Sequence, residues 1–553
     1  MNDIKSWFRR GTPWVWLTGG AVSICLAMVL GLLFLIASRG LGHFWPADVF
    51  EADYSNVDGT GQKLIGELVE TEEVDAVRIR SSGIPVEPDV KFVTRWLVKL
   101  GNRDVTGQDF KNVIASHVSN LQKPDNMVVL ERREWGNFYG YLKALKESGQ
   151  TVAEDEEAWS ELQKRMLRAN QLAKNIQSLE QKDIGAINYK LDGLRLYERR
   201  LELKGALTDA EKSKIKAERD ALNIKFEILQ GDLSQLRVDI SRDSIVMQTA
   251  AGEQREISMA KIVNAFRPNS MGVLTKTRFY FTQLWGFLTE DPREANTEGG
   301  IFPAIFGTVL MVVLMTLVVT PFGVVAAVYM REYAKQGWLT KTIRIAVNNL
   351  AGVPSIVYGV FGLGFFVYFL GAEIDHVFFP EAAPAPVFGT PGLLWASVTL
   401  ALLTVPVVIV STEEGLARIP YSVREGSLAL GATKFETLWK VVLPMSSPAM
   451  MTGLILAISR AAGEVAPLML VGVVKLAPTL PLDLNPPFLH LERKFMHLGF
   501  HIYDVGFQSP NVEAARPIVY ATALLLVIVI AALNLTAVTM RNRLRERYRA
   551  LET

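Results

Sequence analysis

The chain has 553 residues, 49% of them hydrophobic and 21% charged, with a formal net charge of +1 and a mean hydropathy of +0.20. That balance is too apolar for an ordinary soluble protein, too polar for one buried throughout in lipid, and too near neutrality for a strongly cationic nucleic-acid binder. A single cysteine, Cys25, excludes a disulfide framework and any cysteine-built zinc or iron–sulfur centre within the chain.

A helix needs about 20 apolar residues to cross a bilayer. The first such stretch runs from Trp14 to Ala37, behind Lys5, Arg9 and Arg10. It is longer than the h-region of a secretory signal, and Ala37-Ser38-Arg39 is a poor cleavage site, so it reads as a retained anchor. Arg9-Arg10 reads as flanking positive charge rather than a twin-arginine signal. Residues 38–300 hold no further span. Five more follow: Ile301–Tyr329, Ile345–Leu370, Gly392–Val410, Met450–Val474 and Ile518–Val538, which makes six.

Lys and Arg mark cytoplasmic loops. They gather at the amino terminus, after the second span (Arg331, Lys335, Lys341, Arg344), after the fourth (Arg418, Arg424, Lys434, Lys440) and in the tail (Arg541, Arg543, Arg545, Arg547, Arg549). The loop after the third span carries Glu373, Asp375 and Glu381 instead. The loop after the fifth fits less cleanly, with Arg493 and Lys494. Both termini are therefore expected inside and residues 38–300 outside.

The long segment 38–300 reads as a soluble α+β insert. From about 154 to 236 apolar residues recur at spacings of three and four: Trp159, Leu162, Met166, Leu172, Ile176 and Leu179, then Leu222, Phe226, Leu229, Leu233 and Leu236. Gly205 interrupts, and Thr208 with Glu211 forms a capping box just beyond it, so the stretch predicts two long antiparallel helices of coiled-coil character. Lys63–Ile84, Met127–Leu142 and Ser244–Ile262 predict β-structure around that hairpin. Nothing in the insert groups Ser, His and Asp or clusters metal ligands, so it reads as a binding or spacing module.

Between the fourth and fifth spans, Ser422–Leu430 suits a short helix and Gly431 its left-handed stop. Thr433 and Glu436 form a second capping box, and Pro444 restarts the chain toward the membrane. Leu428, Phe435, Leu438 and Trp439 have no evident core of their own, so this cytoplasmic hairpin is expected to dock on another protein. Glu425, Gly431, Val441, Leu443 and Pro444 follow the pattern E-x5-G-x9-(I/V)-x-L-P. The segment resembles the coupling loop of ABC importer permeases, the EAA loop, here spanning 413–447. It departs at Gly426 and Ser427, where alanine is usual, but both are small.

Three further segments resemble phosphate importer permeases of the Pst system, most of all the PstA type. They are Asn349–Gly359 with Pro354 and Ser355, Leu403–Pro406 with Thr412-Glu413-Glu414, and Ile458–Leu468 with Arg460 and Glu464. The resemblance covers about 300–553, is strongest from 344 to 475, and carries nothing over to the insert. It implies a type I ABC importer permease core in 301–553, with residues 1–37 as cytoplasmic terminus and first span. It further implies a partner permease (PstC type), two ATPase subunits (PstB type) that bind ATP and Mg, and an extracytoplasmic phosphate-binding protein (PstS type). This chain itself is expected to bind no cofactor and hydrolyse no ATP. The nearest approach to a phosphate loop, Gly426 to Gly431, is followed by Ala432 rather than Lys.

Arg460 lies about 15 Å into the fifth span, near mid-bilayer. Burying it there costs about 2.5–3.5 kcal/mol, so it is expected to face protein or water. Glu464 follows at i+4 on the same helix face. The two form either a self-neutralising structural pair or, as the resemblance favours, a phosphate waypoint. In the waypoint, Arg460 offers a fork to the oxyanion and Glu464 accepts a hydrogen bond from P–OH. Gly352, Pro354, Ser355, Gly359, Gly362 and Gly364 fit either a broken third span with free N–H groups or close helix packing. His490, His497 and His501 read as surface or interface histidines rather than a metal site, and Glu413 and Glu414 as solvated or paired with Arg418 or the coupling loop. The competing functions are a permease for molybdate or sulfate and, in another class, a membrane sensor built on 38–300. No cytoplasmic signalling domain follows Val538 to support a sensor.

Overall fold

The computed structural model describes residues 11–56, 60–81, 83, 90–293, 296–509 and 512–548. Lys5, Arg9, Arg10 and Arg549 lie outside the described residues. Helix α1 (Thr12–Gly42) is the amino-terminal apolar helix. It stands exposed along most of its length and packs only at its end, where Gly40 meets the backbone of Ala521.

Two antiparallel sheets follow. One has the order β4-β3-β2-β1-β5, from β1 (Val49–Ser55), β2 (Gly61–Asp75), β3 (Phe92–Lys99), β4 (Phe110–Ile114) and β5 (Val118–Gln122). Alternation builds it: Phe50, Ala52 and Tyr54 of β1 point to one face and pack with Leu64, Val98 and Val113. The second sheet begins with β6 (Val128–Arg132), β7 (Phe138–Glu147) and β8 (Gln150–Glu154).

The chain then leaves the sheet as an arm. α2 (Asp155–Ser178) passes through a wider turn at 179–184 into α3 (Gly185–Leu203). Gly205 takes φ +63°, reversing the chain, and α4 (Asp209–Ser241) returns alongside. Thr208 Oγ1 accepts the Glu211 N–H at 3.3 Å, which is one half of the expected capping box. Arg219 bonds Glu198 and Arg237 bonds Glu180, which fixes the two limbs as antiparallel. The second sheet is completed by β9 (Asp243–Gln248), β10 (Gln254–Ser258) and β11 (Ile262–Phe266), in the order β10-β9-β7-β6-β11 with β8 on β7. Leu162 and Met166 of α2 close its core against Leu130, Phe138, Leu145, Ile245 and Met247.

From α5 (Val273–Thr289) a short hairpin, β12 (Pro292–Arg293) and β13 (Glu298–Gly299), leads to the helical bundle. It comprises α6 (Phe302–Val328), α7 (Trp338–Leu350), α8 (Ser355–Phe378), α9 (Leu393–Ala417), α10 (Tyr421–Ala429), α11 (Lys434–Gly463), α12 (Leu498–Tyr503) and α13 (Val512–Tyr548). α1, α6, α8, α9, α11 and α13 are long and apolar enough to cross a membrane, which gives the six spans expected.

Two expected boundaries move. Residues 345–350 belong to α7, an amphipathic helix separated from α8 by the break at 351–354, so the third span is broken rather than continuous from Ile345. The fifth span starts earlier and stops at Gly463 rather than reaching Val474, because Glu464 turns to extended backbone and Pro467 follows.

Candidate functional site

The break in the third span is written in Ala351-Gly-Val-Pro354. Proline disfavours helical backbone in the residue before it and cannot donate to a preceding turn, so α7 ends and α8 begins afresh at Ser355. The carbonyl of Leu350, at the break, accepts both the Val353 N–H at 3.2 Å and the Tyr358 hydroxyl at 2.6 Å. Ser355, half-buried, stands at the new N-terminus, where a helix leaves its first N–H groups without intrahelical partners, and the Val357 N–H closes the turn on the Pro354 carbonyl at 3.0 Å.

The stump of α11 arrives beside this break. Tyr358 shares one core cluster with Ala457, Ile458, Ala461 and Leu468. Glycine permits the approach: a Cβ on Gly359 would lie 2.6 Å from Pro467 Cα, and one on Gly362 would lie 2.3 Å from Thr399 Oγ1. Gly453 packs on Ser411 where α11 and α9 run antiparallel, which places Arg460 opposite position 404, midway along α9. Arg460 thus stands level with the middle of α9, but it does not share a helix face with Glu464. Arg460 is in the last turn of α11 and Glu464 lies just beyond it. The extended backbone at Glu464 still lets the carboxylate reach back, with a long 3.4 Å contact from Arg460 Nε to Glu464 Oε1. Both side chains are half-buried, so neither is sealed in the core.

A second arrangement occupies the bundle end remote from the insert. α10, the turn at Gly431 and the start of α11 form the expected hairpin. Gly431 has φ +89°, and the Thr433–Glu436 capping box is complete in both directions. Glu425, Phe435 and Trp439 are exposed, and the two aromatic rings stack at 6.3 Å with an 8° interplanar angle. Leu430 is exposed beside them.

Two expectations fail here. Leu438 does have a core: it is buried with Leu416, Ile419 and Val442, and Leu443 packs against the same cluster. Pro444 does not restart the chain, because helix runs unbroken through Val441, Leu443 and Pro444 into α11. The missing N–H of Pro444 is absorbed where residues 438–442 wind more widely.

Arg424 was legible only as a topogenic charge, yet it anchors the hairpin. Its guanidinium donates to the carbonyls of Ile419 (2.7 Å) and Leu416 (2.8 Å) and to Glu332 (2.9 Å) past the end of α6. Lys434 Nζ donates to the Glu332 carbonyl at 2.6 Å, and Ser427 bonds Thr437 across the turn at 2.9 Å. Glu413 pairs with Arg344 of α7, not with Arg418 or the hairpin, which ties the broken span to α9. The only sequence signal for such residues is an Arg or Glu within a turn or two of a span end.

The three histidines are buried rather than superficial. His490 sits between Asp483 and Glu492 at 3.0 Å each, His497 Nδ1 accepts the Gly499 N–H at the start of α12, and His501 lies beside Thr522. They serve as polar fasteners, and among the described residues no group of three metal-ligating side chains assembles.

Residues 319–550 match the family model of the binding-protein-dependent transport system inner membrane component. The chain is 31% identical over 276 residues to the phosphate transport system permease protein PstA of Mycobacterium leprae, covering 49% of this chain and 81% of that one. It is 33% identical over 202 residues to the probable ABC transporter permease protein YqgH of Bacillus subtilis, covering 36% of this chain and 61% of that protein's length. Its fold is similar to a chain of the MetNI methionine ABC transporter in inward-facing conformations (TM-score 0.33, 18% identity, 48% of this chain and 98% of that one). The chain is thus an integral-membrane permease subunit of an ABC importer. It belongs to the binding-protein-dependent transport family, and within it to the phosphate permeases of PstA type.

Proposed function

We propose that this chain is the transmembrane subunit of an ATP-driven importer of inorganic phosphate. Similarity to PstA permeases across the bundle carries the reading. The insert end then faces outside and both termini inside. The hairpin at α10–α11 receives the ATPase subunits, which bind ATP and Mg and do the hydrolysis. A related permease of PstC type completes the pathway, and a PstS-type protein delivers phosphate.

The chemistry of the broken span accords with this cargo. Among the described residues Arg460 engages Glu464 through Nε alone, so its two NH2 groups keep their donors for a ligand. A dihydrogen or monohydrogen phosphate offers oxygens to that fork and a P–OH to the Glu464 carboxylate, whereas sulfate at neutral pH has no proton to give. Free N–H groups at Ser355 add a second anion-favouring element on the facing helix. Coupling is mechanical. Glu425, Phe435 and Trp439 offer the contact, and unbroken helix from Lys434 to Gly463 transmits the push to Arg460.

The test is radiolabelled phosphate uptake in cells lacking the chain, complemented with wild type, Arg460→Gln or Glu464→Gln, with sulfate and molybdate as controls. Deletion should abolish phosphate uptake alone. Each variant should transport at least tenfold more slowly at equal membrane abundance. Unchanged phosphate uptake on deletion, or an equal loss of sulfate uptake, overturns the assignment.

A further inference from the structure

The segment that joins the insert to the bundle carries a surface the transport reading does not use. α5 is held on two sides. Toward the insert, Lys276 bonds Asp48, Gln283 bonds Glu131 and the Phe279 ring meets Phe266 at 4.5 Å. Toward the bundle, Tyr280, Leu284, Phe287 and Leu288 join Phe44, Ile301, Ala304, Ile518 and Ala521. Phe44 lies 5.1 Å from Phe287 and Trp45 lies 6.1 Å from Tyr280, ring to ring. These partners are the insert-side ends of three spans, α1, α6 and α13, so α5 lies at the level where the bilayer ends.

The third side of α5 is open. Leu274, Arg278, Phe281 and Trp285 recur at spacings of four, three and four along one stripe. Leu274 is 89% exposed, Phe281 62% and Trp285 68%, values far above those of the aromatic residues on the packed sides. Just past the end of α1, Phe44 and Trp45 join α5 at Phe287 and Tyr280 on its packed side, and the Tyr280 ring in turn meets Phe281 of the stripe at 5.4 Å.

We propose that α5 is a membrane-interface helix whose open stripe lies in the headgroup region of the insert-side leaflet. Trp and Phe sit favourably where lipid meets water, and an arginine among them reaches lipid phosphate while its methylene stem stays with the apolar side chains. The join to α1 selects lipid over a protein occupant, because α1, an apolar helix long enough to span and exposed along most of its length, leads directly into α5 through Phe44 and Trp45. The helix thereby fixes the height of the insert over the bundle. The proposal needs only the membrane assignment of the chain, not its cargo.

The experiment uses the full chain assembled with its transporter partners in nanodiscs of phosphatidylethanolamine and phosphatidylglycerol. Cys25→Ser removes the sole thiol. Single cysteines replacing Phe281 or Trp285 carry a spin label, with Leu30 of α1 as lipid reference and the exposed Ile224 of the arm as water reference. Labels at 281 and 285 should be accessible to oxygen and at least threefold less accessible to a water-soluble nickel chelate than the label at 224. Aqueous behaviour like that of 224 overturns the proposal, and so does exclusion of both reagents, which would mean protein covers the stripe. An unlabelled check guards against perturbation by the label. Brominated lipid should quench wild-type fluorescence more than that of Trp285→Phe, and equal quenching again overturns it.

Discussion

Arg424 is one of the side chains that hold the hairpin to the bundle at the end remote from the insert, beside Lys434 and the buried Leu438. Arg424 and Glu332 are both nearly buried, and the guanidinium also satisfies two carbonyls at the end of α9. Removing one partner of such a pair leaves an uncompensated charge and costs about 3–5 kcal/mol. Arg424→Ala should therefore abolish phosphate uptake while Glu332→Gln, which keeps a neutral acceptor, loses less. Uptake measured beside membrane abundance separates the two, and equal wild-type transport in both would remove Arg424 from the coupling path. Gly431 makes a different demand. No heavy atom lies within 4 Å of a Cβ built there, so only its φ of +89° requires glycine. Gly431→Ala should cost about 1–2 kcal/mol of local strain and Gly431→Asn less, because asparagine tolerates the left-handed region. A lower thermal midpoint for alanine than for asparagine checks the order.

At the scale of elements, what was legible in the sequence followed from periodicity and composition. Six apolar runs, the T-x-x-E caps at Thr208 and Thr433 and the left-handed stop at Gly431 are local signals, and the structure realises them. The end of α11 was not legible. Ala462-Gly463-Glu464 reads equally well as helix, Pro467 forbids its continuation without marking Gly463 as the last residue, and packing of Pro467 and Val471 against α8 seats the chain where it turns out. Arg460 and Glu464 were visible as charges in an apolar run, but their placement across a helix end was not. The break at Gly352–Pro354 could be read two ways, and the structure combines them: the helix is interrupted, and glycines pack closely as well. A graded test follows. Gly359→Leu forces side-chain atoms against Pro467 backbone and should abolish transport and lower the thermal midpoint, since overpacking typically costs about 1–3 kcal/mol. Gly364 has open space around its Cβ position, so Gly364→Ala should leave both unchanged. Equal tolerance at the two sites would mean the contact with Pro467 yields freely.

Over the whole molecule, the insert is fastened across the outer rim rather than tethered at its two chain ends. Arg516 of α13 pairs with Glu70 at 3.5 Å, while Gln177 ties the arm to Asp291 of the link between α5 and the bundle at 2.8 Å. The Tyr189 hydroxyl donates to the Pro486 carbonyl at 2.6 Å, and Arg200 pairs with Glu381 in the loop after α8. Sequence could not show this, because each partner lies more than 100 positions away on a different element. The last pair sets a pH limit on the docked arm. Burial alone would raise the Glu381 carboxyl, but the Arg200 guanidinium outweighs it and holds the group below its ordinary 4.5. A depressed carboxylate stabilises the docked state above its ordinary value, and that contribution is lost as pH falls through the lowered one. Spin labels at 204 and 385 should therefore keep one distance from pH 7 to about 5 and separate in more acid solution. Glu381→Gln should lose that pH step. Arg200→Glu should separate the labels at neutral pH, and Arg200→Glu with Glu381→Arg should bring them together again. A distance insensitive to the single reversal would mean that Tyr189 and Gln177 hold the arm without the ion pair.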